Sequence, residues 1–258
     1  MRLLESYVVR NAAPAFRASS LLRHEDSTDT QLFGIYDGHG GARCSSLLAL
    51  LLPLYLLDAP QFREDLAAAS AAASLAINAE IRAREAQGQC DGGSTAVTLL
   101  LRGRTATLAN TGDCRAILLS RPEGTPAVTQ LTTDHKATDE RERRRIEAAG
   151  GLVLFVKGVA RVNGRLAVAR AFGDSDLSSL VIPDPEVVTR ELQPHDEFIV
   201  LASDGLWDVM TNEQVASCVR NHPWLSPSEV AAVLADRAVE LGSLDNVTVI
   251  VVDVRSGK

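Results

Sequence analysis

Several things are scarce in this chain of 258 residues. Its four cysteines, Cys44, Cys90, Cys114 and Cys218, are scattered, and none stands in a metal-like pair. That spacing argues against a thiolate metal module or a disulfide framework and fits reduced residues of an intracellular protein. None lies in the basic, loop-to-helix setting that lowers a thiol pKa, so no cysteine nucleophile is expected. Basic residues are outnumbered, 26 Lys and Arg against 33 Asp and Glu, and the net charge of −7 does not suggest a nucleic-acid partner. No apolar run is long enough to span a bilayer. The stretch Leu47–Leu57 is too short and contains Pro53, so it reads as a core helix and no membrane partner is expected. The first residues lack the basic-then-apolar pattern of a signal peptide, which places the expected location in the cytoplasm or nucleus. There are no repeats, no low-complexity tail and no clear linker. The length suits a single domain over residues 1–258 with one large core.

What is present alternates short apolar runs with Ala- and Leu-rich stretches. Residues 42–57 read as a helix with a kink or break near Pro53, and residues 62–87 as a long helix ending before Gly88. A meander follows, with strands Thr95–Leu101, Thr105–Asn110 and Arg115–Ser120, a tight turn at Arg102-Gly103, and a loop from Pro122 to Pro126. Asp139–Ala149 reads as a charged helix ended by Gly150-Gly151. Its Arg141, Arg143, Arg144 and Arg145 alternate with Glu140, Glu142 and Glu147 and read as a solvated face. Thr211 and Ser226 are helix N-caps. Strand meanders with separate long helices point to a layered α+β domain.

Four strand-like runs end in, or open from, an aspartate beside Gly or Asn. Leu32–Tyr36 delivers Asp37 into Gly38-His39-Gly40-Gly41, and Thr105–Asn110 leads to Asp113. Glu197–Ser203 runs into Asp204-Gly205, and Asp245-Asn246 opens Val247–Val252. Each aspartate alone reads as a turn residue. Together they read as one site, because several carboxylates at one sheet end repel one another unless a cation neutralises them. Carboxylates and bare backbone oxygen are what Mg²⁺ or Mn²⁺ seeks, and His39 is a group able to move a proton near neutral pH.

In this order the motifs resemble the metal-dependent protein phosphatases, the type 2C serine/threonine phosphatases. The matching segments are Asp37–Gly41, Gly93–Val97, Asn110–Arg115, Asp134–Lys136, Glu147–Gly151, Arg161–Asp174, Ser203–Asp208 and Asp245–Thr248, covering about residue 30 onward. The resemblance implies a four-layer α/β/β/α sandwich, with two antiparallel sheets face to face and antiparallel helices outside. It implies hydrolysis of phosphoserine or phosphothreonine in proteins by a water bridging two Mg²⁺ or Mn²⁺ ions, with a third, weaker metal. Asp37, Asp204, Asp245 and the Gly38 carbonyl would hold the metals, Asp113 and Asp208 the weaker one. His39, with Asp37, would form the catalytic pair, His39 protonating the leaving oxygen. Thr95 is a secondary candidate. Residues from about 152 to 180 correspond to the family's mobile flap, while His135 and Lys136 are given no catalytic role. The partner implied is a phosphoprotein, acted on by a monomer.

The first 30 residues or so depart from that pattern, which has an Arg that grips phosphate followed by an acidic pair. One alignment uses Arg23 with Glu25-Asp26, crowded against Asp37. The other, slightly favoured, puts Arg10 at the phosphate with Pro14-Ala15 where the acids would stand. The departure keeps open a weakly active or inactive relative that uses the fold as a binding or regulatory scaffold. A hydrolase of small phosphate esters is a further alternative.

Overall fold

The apolar runs pair into two antiparallel sheets in the computed structural model, which describes residues 7–10, 16–20 and 30–255. The first sheet runs β1 (Tyr7–Arg10), β14 (Val247–Asp253), β13 (Asp196–Ala202), β7 (Arg115–Ser120), β8 (Ala127–Gln130). The second runs β11 (Phe172–Gly173), β4 (Gly93–Ser94), β3 (Thr30–His39), β5 (Ala96–Arg102), β6 (Thr105–Thr111), β12 (Glu186–Glu191), with β2 (Phe16–Ser20) also paired to β3.

Side chains alternate between the faces of each strand, and here both faces are covered. In β7, Ala116 and Leu118 point between the sheets, where they meet Phe33, Ile35, Val97 and Leu99 of the opposite sheet. Ile117 and Leu119 of the same strand point outward, onto α5 (Asn212–Arg220) and α6 (Pro227–Glu240) through Val215, Val219 and Leu234. On the far side, Leu32, Tyr36 and Leu100 pack on α1 (Arg43–Asp58) and α2 (Leu66–Ala86) through Leu48, Leu52, Ile77 and Ile81. The result is the expected α/β/β/α order. Each fully buried Leu, Ile or Val contributes roughly 1.5–3 kcal/mol, so the three apolar interlayers hold the sandwich together.

Local chemistry fixes the helix ends. Asp65 accepts from the Ala67 and Ala68 amides, both at 2.9 Å, so α2 starts at Leu66 and not at residue 62. Thr211 and Ser226 both form complete capping boxes. Asp139 caps α3 (Glu140–Ala148). The expected break at Pro53 does not occur: α1 runs through it to Asp58, with the ring buried. The β5–β6 turn lies at Gly103-Arg104, one residue later than expected, with Gly103 in the left-handed region at φ 59°.

Between α3 and β12 the chain forms the hairpin β9 (Val153–Val156) and β10 (Val159–Val162). This excursion has a small core of its own, in which Ile146 of α3 meets Ala160, Val162, Val168, Leu177 and Leu180.

Candidate active site

Strand register carries the aspartates to one edge. In the first sheet Ala202 of β13 pairs with Arg115 of β7 on one side and Val249 of β14 on the other. Asp204, which opens α4 (Asp204–Trp207), therefore lies beside Asp113, which precedes β7, and Asp245, which precedes β14. In the second sheet Ala96 pairs with Thr111, and the Thr95 amide donates to the Asp37 carbonyl at 2.8 Å. The two sheets thus present their acids at the same end.

The electrostatics confirm the crowding. Asp37 and Asp204 lie near enough for each carboxylate to disturb the other's proton affinity. Burial, then the charges of Asp204, Asp113 and Asp245, hold the Asp37 carboxyl well above its usual range. Burial and then Asp204 push Asp113 up to about 7. Burial, then Asp245 and Asp208, push Asp204 to about 6. Asp204 Oδ1 is buried with no hydrogen-bond partner among the described residues. Among those residues no three His, Cys, Asp or Glu side chains are gathered tightly enough to chelate a bare metal ion. The donor set nevertheless fits hard, hydrated divalent cations, which keep several waters and need few direct carboxylates. A buried oxygen without a donor, among acids that raise one another's pKa, is what such a cation relieves.

A stability prediction follows. These carboxyls titrate at 3.8 unfolded and at about 6 to 7 in Asp204 and Asp113 when folded without metal. The native state then holds more protons, so the contribution of these groups to stability is full below pH of about 4 and is lost as pH rises through about 7. Melts of chelator-treated protein should show that decline. Added Mn²⁺ should raise Tm more at pH of about 7.5 than at about 5. An equal rise at both values would mean that the cation binds elsewhere.

His39 is held by a group that the sequence reading did not single out. Its Nε2 lies 2.7 Å from Asp174 Oδ2, a contact between residues 135 apart in the chain. The short strand β4 makes it: Gly93 pairs with His39 on one side and Gly173 on the other. A Cβ at Gly93 would overlap both His39 Nε2 and the Asp174 carboxylate, so only glycine allows the approach. Asp174 sits in the left-handed region at φ 47°.

Lys136, given no role from sequence, also reaches this edge, with Nζ 3.0 Å from Asp208 Oδ1. Gly38 pairs with Ser94, one residue before His39. Thr95, between β4 and β5, carries a buried hydroxyl 3.2 Å from Cys114 Sγ. The arginine block of α3 divides. Arg143 and Arg144 pair with Glu147 and Glu140 on the exposed face, as expected. Arg145 instead turns inward to Glu142 and to the Leu180 and Ala169 carbonyls, while Glu142 also binds Arg170 at 2.6 Å. Arg10 ends β1 opposite Val247, two residues from Asp245. The alternatives Arg23, Glu25 and Asp26, and Pro14-Ala15, lie outside the described residues.

The family model described as Protein phosphatase 2C matches residues 9–247. "Probable protein phosphatase 2C 59" of Oryza sativa subsp. japonica is 40% identical over 227 residues, covering 88% of this chain and 67% of its own. "Probable protein phosphatase 2C 45" of the same species is 41% identical over 248 residues, covering 93% and 85%. Among solved structures, a C. elegans sex determining protein superposes with a TM-score of 0.90 at 27% identity, over 98% of this chain and 65% of that one. A serine-threonine phosphatase 2C from Toxoplasma gondii gives 0.80 at 21% identity, over 98% and 99%, a likeness of fold.

Proposed function

The chain belongs to the protein phosphatase 2C family of serine/threonine protein phosphatases, and from that premise we propose that its acidic edge hydrolyses phosphoserine and phosphothreonine esters of proteins with two divalent cations bound among the carboxylates. The observation that carries this reading is the meeting of Asp37, Asp113, Asp204 and Asp245 at one edge of the two sheets. Bound Mg²⁺ or Mn²⁺ would supply Lewis-acid stabilisation of the phosphate and a water acidic enough to attack it near neutral pH.

The protein's own residues do the rest. Asp37, Asp204, Asp245 and the Gly38 backbone hold the pair of cations, while Asp113 and Asp208 serve a third, with Lys136 offsetting the Asp208 charge. His39, about a quarter exposed, is open to substrate and donates a proton to the departing seryl or threonyl oxygen. Asp174 holds the imidazole in place through the 2.7 Å contact to its Nε2. No observation favours the scaffold reading, because the core aspartates are all present. The test is phosphate release from phosphoserine and phosphothreonine peptides with Mn²⁺ and with a chelator. Release that stops on chelation supports the proposal, and none in saturating Mn²⁺ overturns it.

Phosphate is assigned to Arg10, on the strength of its register position beside Asp245. Arg10→Ala should mainly raise KM for phosphopeptide, by about tenfold to hundredfold, since a charge-assisted contact contributes roughly 1.5–3 kcal/mol. Arg23→Ala should be nearly silent. Exchanged results would move the clamp to Arg23 and make Glu25-Asp26 the supporting acids.

A further inference from the structure

Asp113 follows a glycine that cannot hold itself in place. Gly112 sits at φ 115°, and a Cβ there would lie 2.5 Å from the Thr95 side chain, so no larger residue fits. Glycine has the freest backbone of any residue, so the peptide that carries Asp113 must be restrained from outside. Residues 133–136 restrain it. The Gly112 amide donates to His135 Nδ1 at 3.2 Å, and the His135 amide donates back to the Gly112 carbonyl at 2.9 Å. Asn110 Nδ2 donates to that same carbonyl at 3.0 Å and to the Thr133 carbonyl at 2.8 Å. On the other side of Asp113, Arg115 grips Asp134 with two prongs, Nε to Oδ1 at 3.0 Å and Nη2 to Oδ2 at 2.7 Å. Lys136 ends the segment with Nζ 3.0 Å from Asp208 Oδ1.

We propose that this segment sets the affinity of the weaker cation site at Asp113 and Asp208, a role that rests on the third cation of the function proposed above. His135 is a positioning residue that strengthens the site by holding Gly112, and with it Asp113. Lys136 weakens the site, because its ammonium competes with the cation for Asp208.

The ring geometry fixes how His135 acts. A ring nitrogen that accepts an amide hydrogen carries no proton, so the neutral ring keeps its proton on Nε2. That second nitrogen faces Glu186 Oε2 at 3.5 Å. Neither nitrogen is free to bind a metal, and the buried ring works only through the backbone it holds. Its own place is set by the excursion after β10. The Ala169 amide donates to the His135 carbonyl at 2.8 Å, the Ala137 amide donates to the Ala167 carbonyl at 3.1 Å, and Lys136 bridges to Val168. Groups that orient metal ligands in this way change metal affinity by about tenfold to hundredfold. Lys136 and Asp208 are both partly exposed, so their ion pair has a smaller effect, about twofold to fivefold.

The full chain, stripped with chelator, should be titrated with Mn²⁺ by calorimetry near neutral pH, and the weak phase followed. His135→Leu, which offers no acceptor, should raise the dissociation constant of that phase by about tenfold to hundredfold. His135→Asn, whose side-chain oxygen can stand where Nδ1 stands, should recover most of the loss. Lys136→Met should tighten the same phase by about twofold to fivefold. The tight phase, carried by Asp37, Asp204 and Asp245, should move less in all three. If His135→Leu does not fold, His135→Asn is compared with His135→Gln, whose amide reaches the Nε2 position and not Nδ1, and the weak phase must then be weaker in His135→Gln. A weak phase unchanged in the His135 variants, or equally weakened with and without the acceptor, overturns the positioning role. A weak phase unchanged or weakened in Lys136→Met overturns the competition. A parent protein with no weak phase removes the third cation and this inference together. A weak phase that responds as stated, in a protein that releases no phosphate from phosphopeptides, leaves the inference standing and overturns the functional reading instead, because calorimetry reads binding without turnover.

Discussion

Asp204→Asn is expected to remove phosphatase activity, by about a thousandfold or more, while leaving the fold intact. The carboxylate opens α4 at the end of β13, raises the Asp37 carboxyl by its charge and has one buried oxygen with no partner among the described residues. Losing its charge would cost the proposed cation pair several kcal/mol of stabilisation, and each 1.36 kcal/mol is a factor of ten in rate. The apolar residues beneath it are untouched, since Leu201 and Val200 face the two interlayers. A second sign separates this from simple unfolding. Asp204 is among the charges that raise Asp37 and Asp113, so the metal-free variant should melt no lower than the metal-free parent at pH of about 7.5. Near-parental turnover in saturating Mn²⁺ would remove Asp204 from the site.

His39→Ala should slow hydrolysis of phosphoserine peptides by about 10²–10⁴-fold, the range for general acid catalysis. Aryl phosphates, whose leaving groups need no proton, should lose much less. Asp174→Asn should move the same ratio in the same direction by a smaller factor, about tenfold to hundredfold, because the imidazole stays but loses its 2.7 Å charge-assisted contact. Equal losses on both substrate classes would make His39 structural.

The difference between what the sequence disclosed and what it hid lies in distance along the chain. Strands such as β7 and β13 were legible because both their faces are covered, which turns each into a near-continuous apolar run with an abrupt polar end. Those ends are the aspartates; Asp113, Asp204 and Asp245 converge because their strands are antiparallel neighbours, and Asp37 joins them because the second sheet stacks on the first. The His39–Asp174 contact was not legible. It depends on β4, two residues long and without any periodicity to read, pairing with His39 and Gly173 at once. The inward turn of Arg145 was missed for a related reason. Glu142, Arg145 and Ile146 share one face of α3 at helical spacing, but two of the three are charged, so the pattern looked solvated. Only the Arg170 guanidinium and the carbonyls of the excursion make that face habitable.

The most direct test of the central claim, that the acids of two sheets form one cation site, is a calorimetric titration of chelator-stripped protein with Mn²⁺ near pH 7 in buffers of different ionisation enthalpy. Asp113 and Asp204 have values of about 7 and about 6 in the metal-free fold, so binding must expel protons. The account predicts saturable binding, with proton release that shrinks as pH rises above about 8, and loss of the tight phase in Asp204→Asn. Binding without proton release, or binding unchanged in Asp204→Asn, would contradict it.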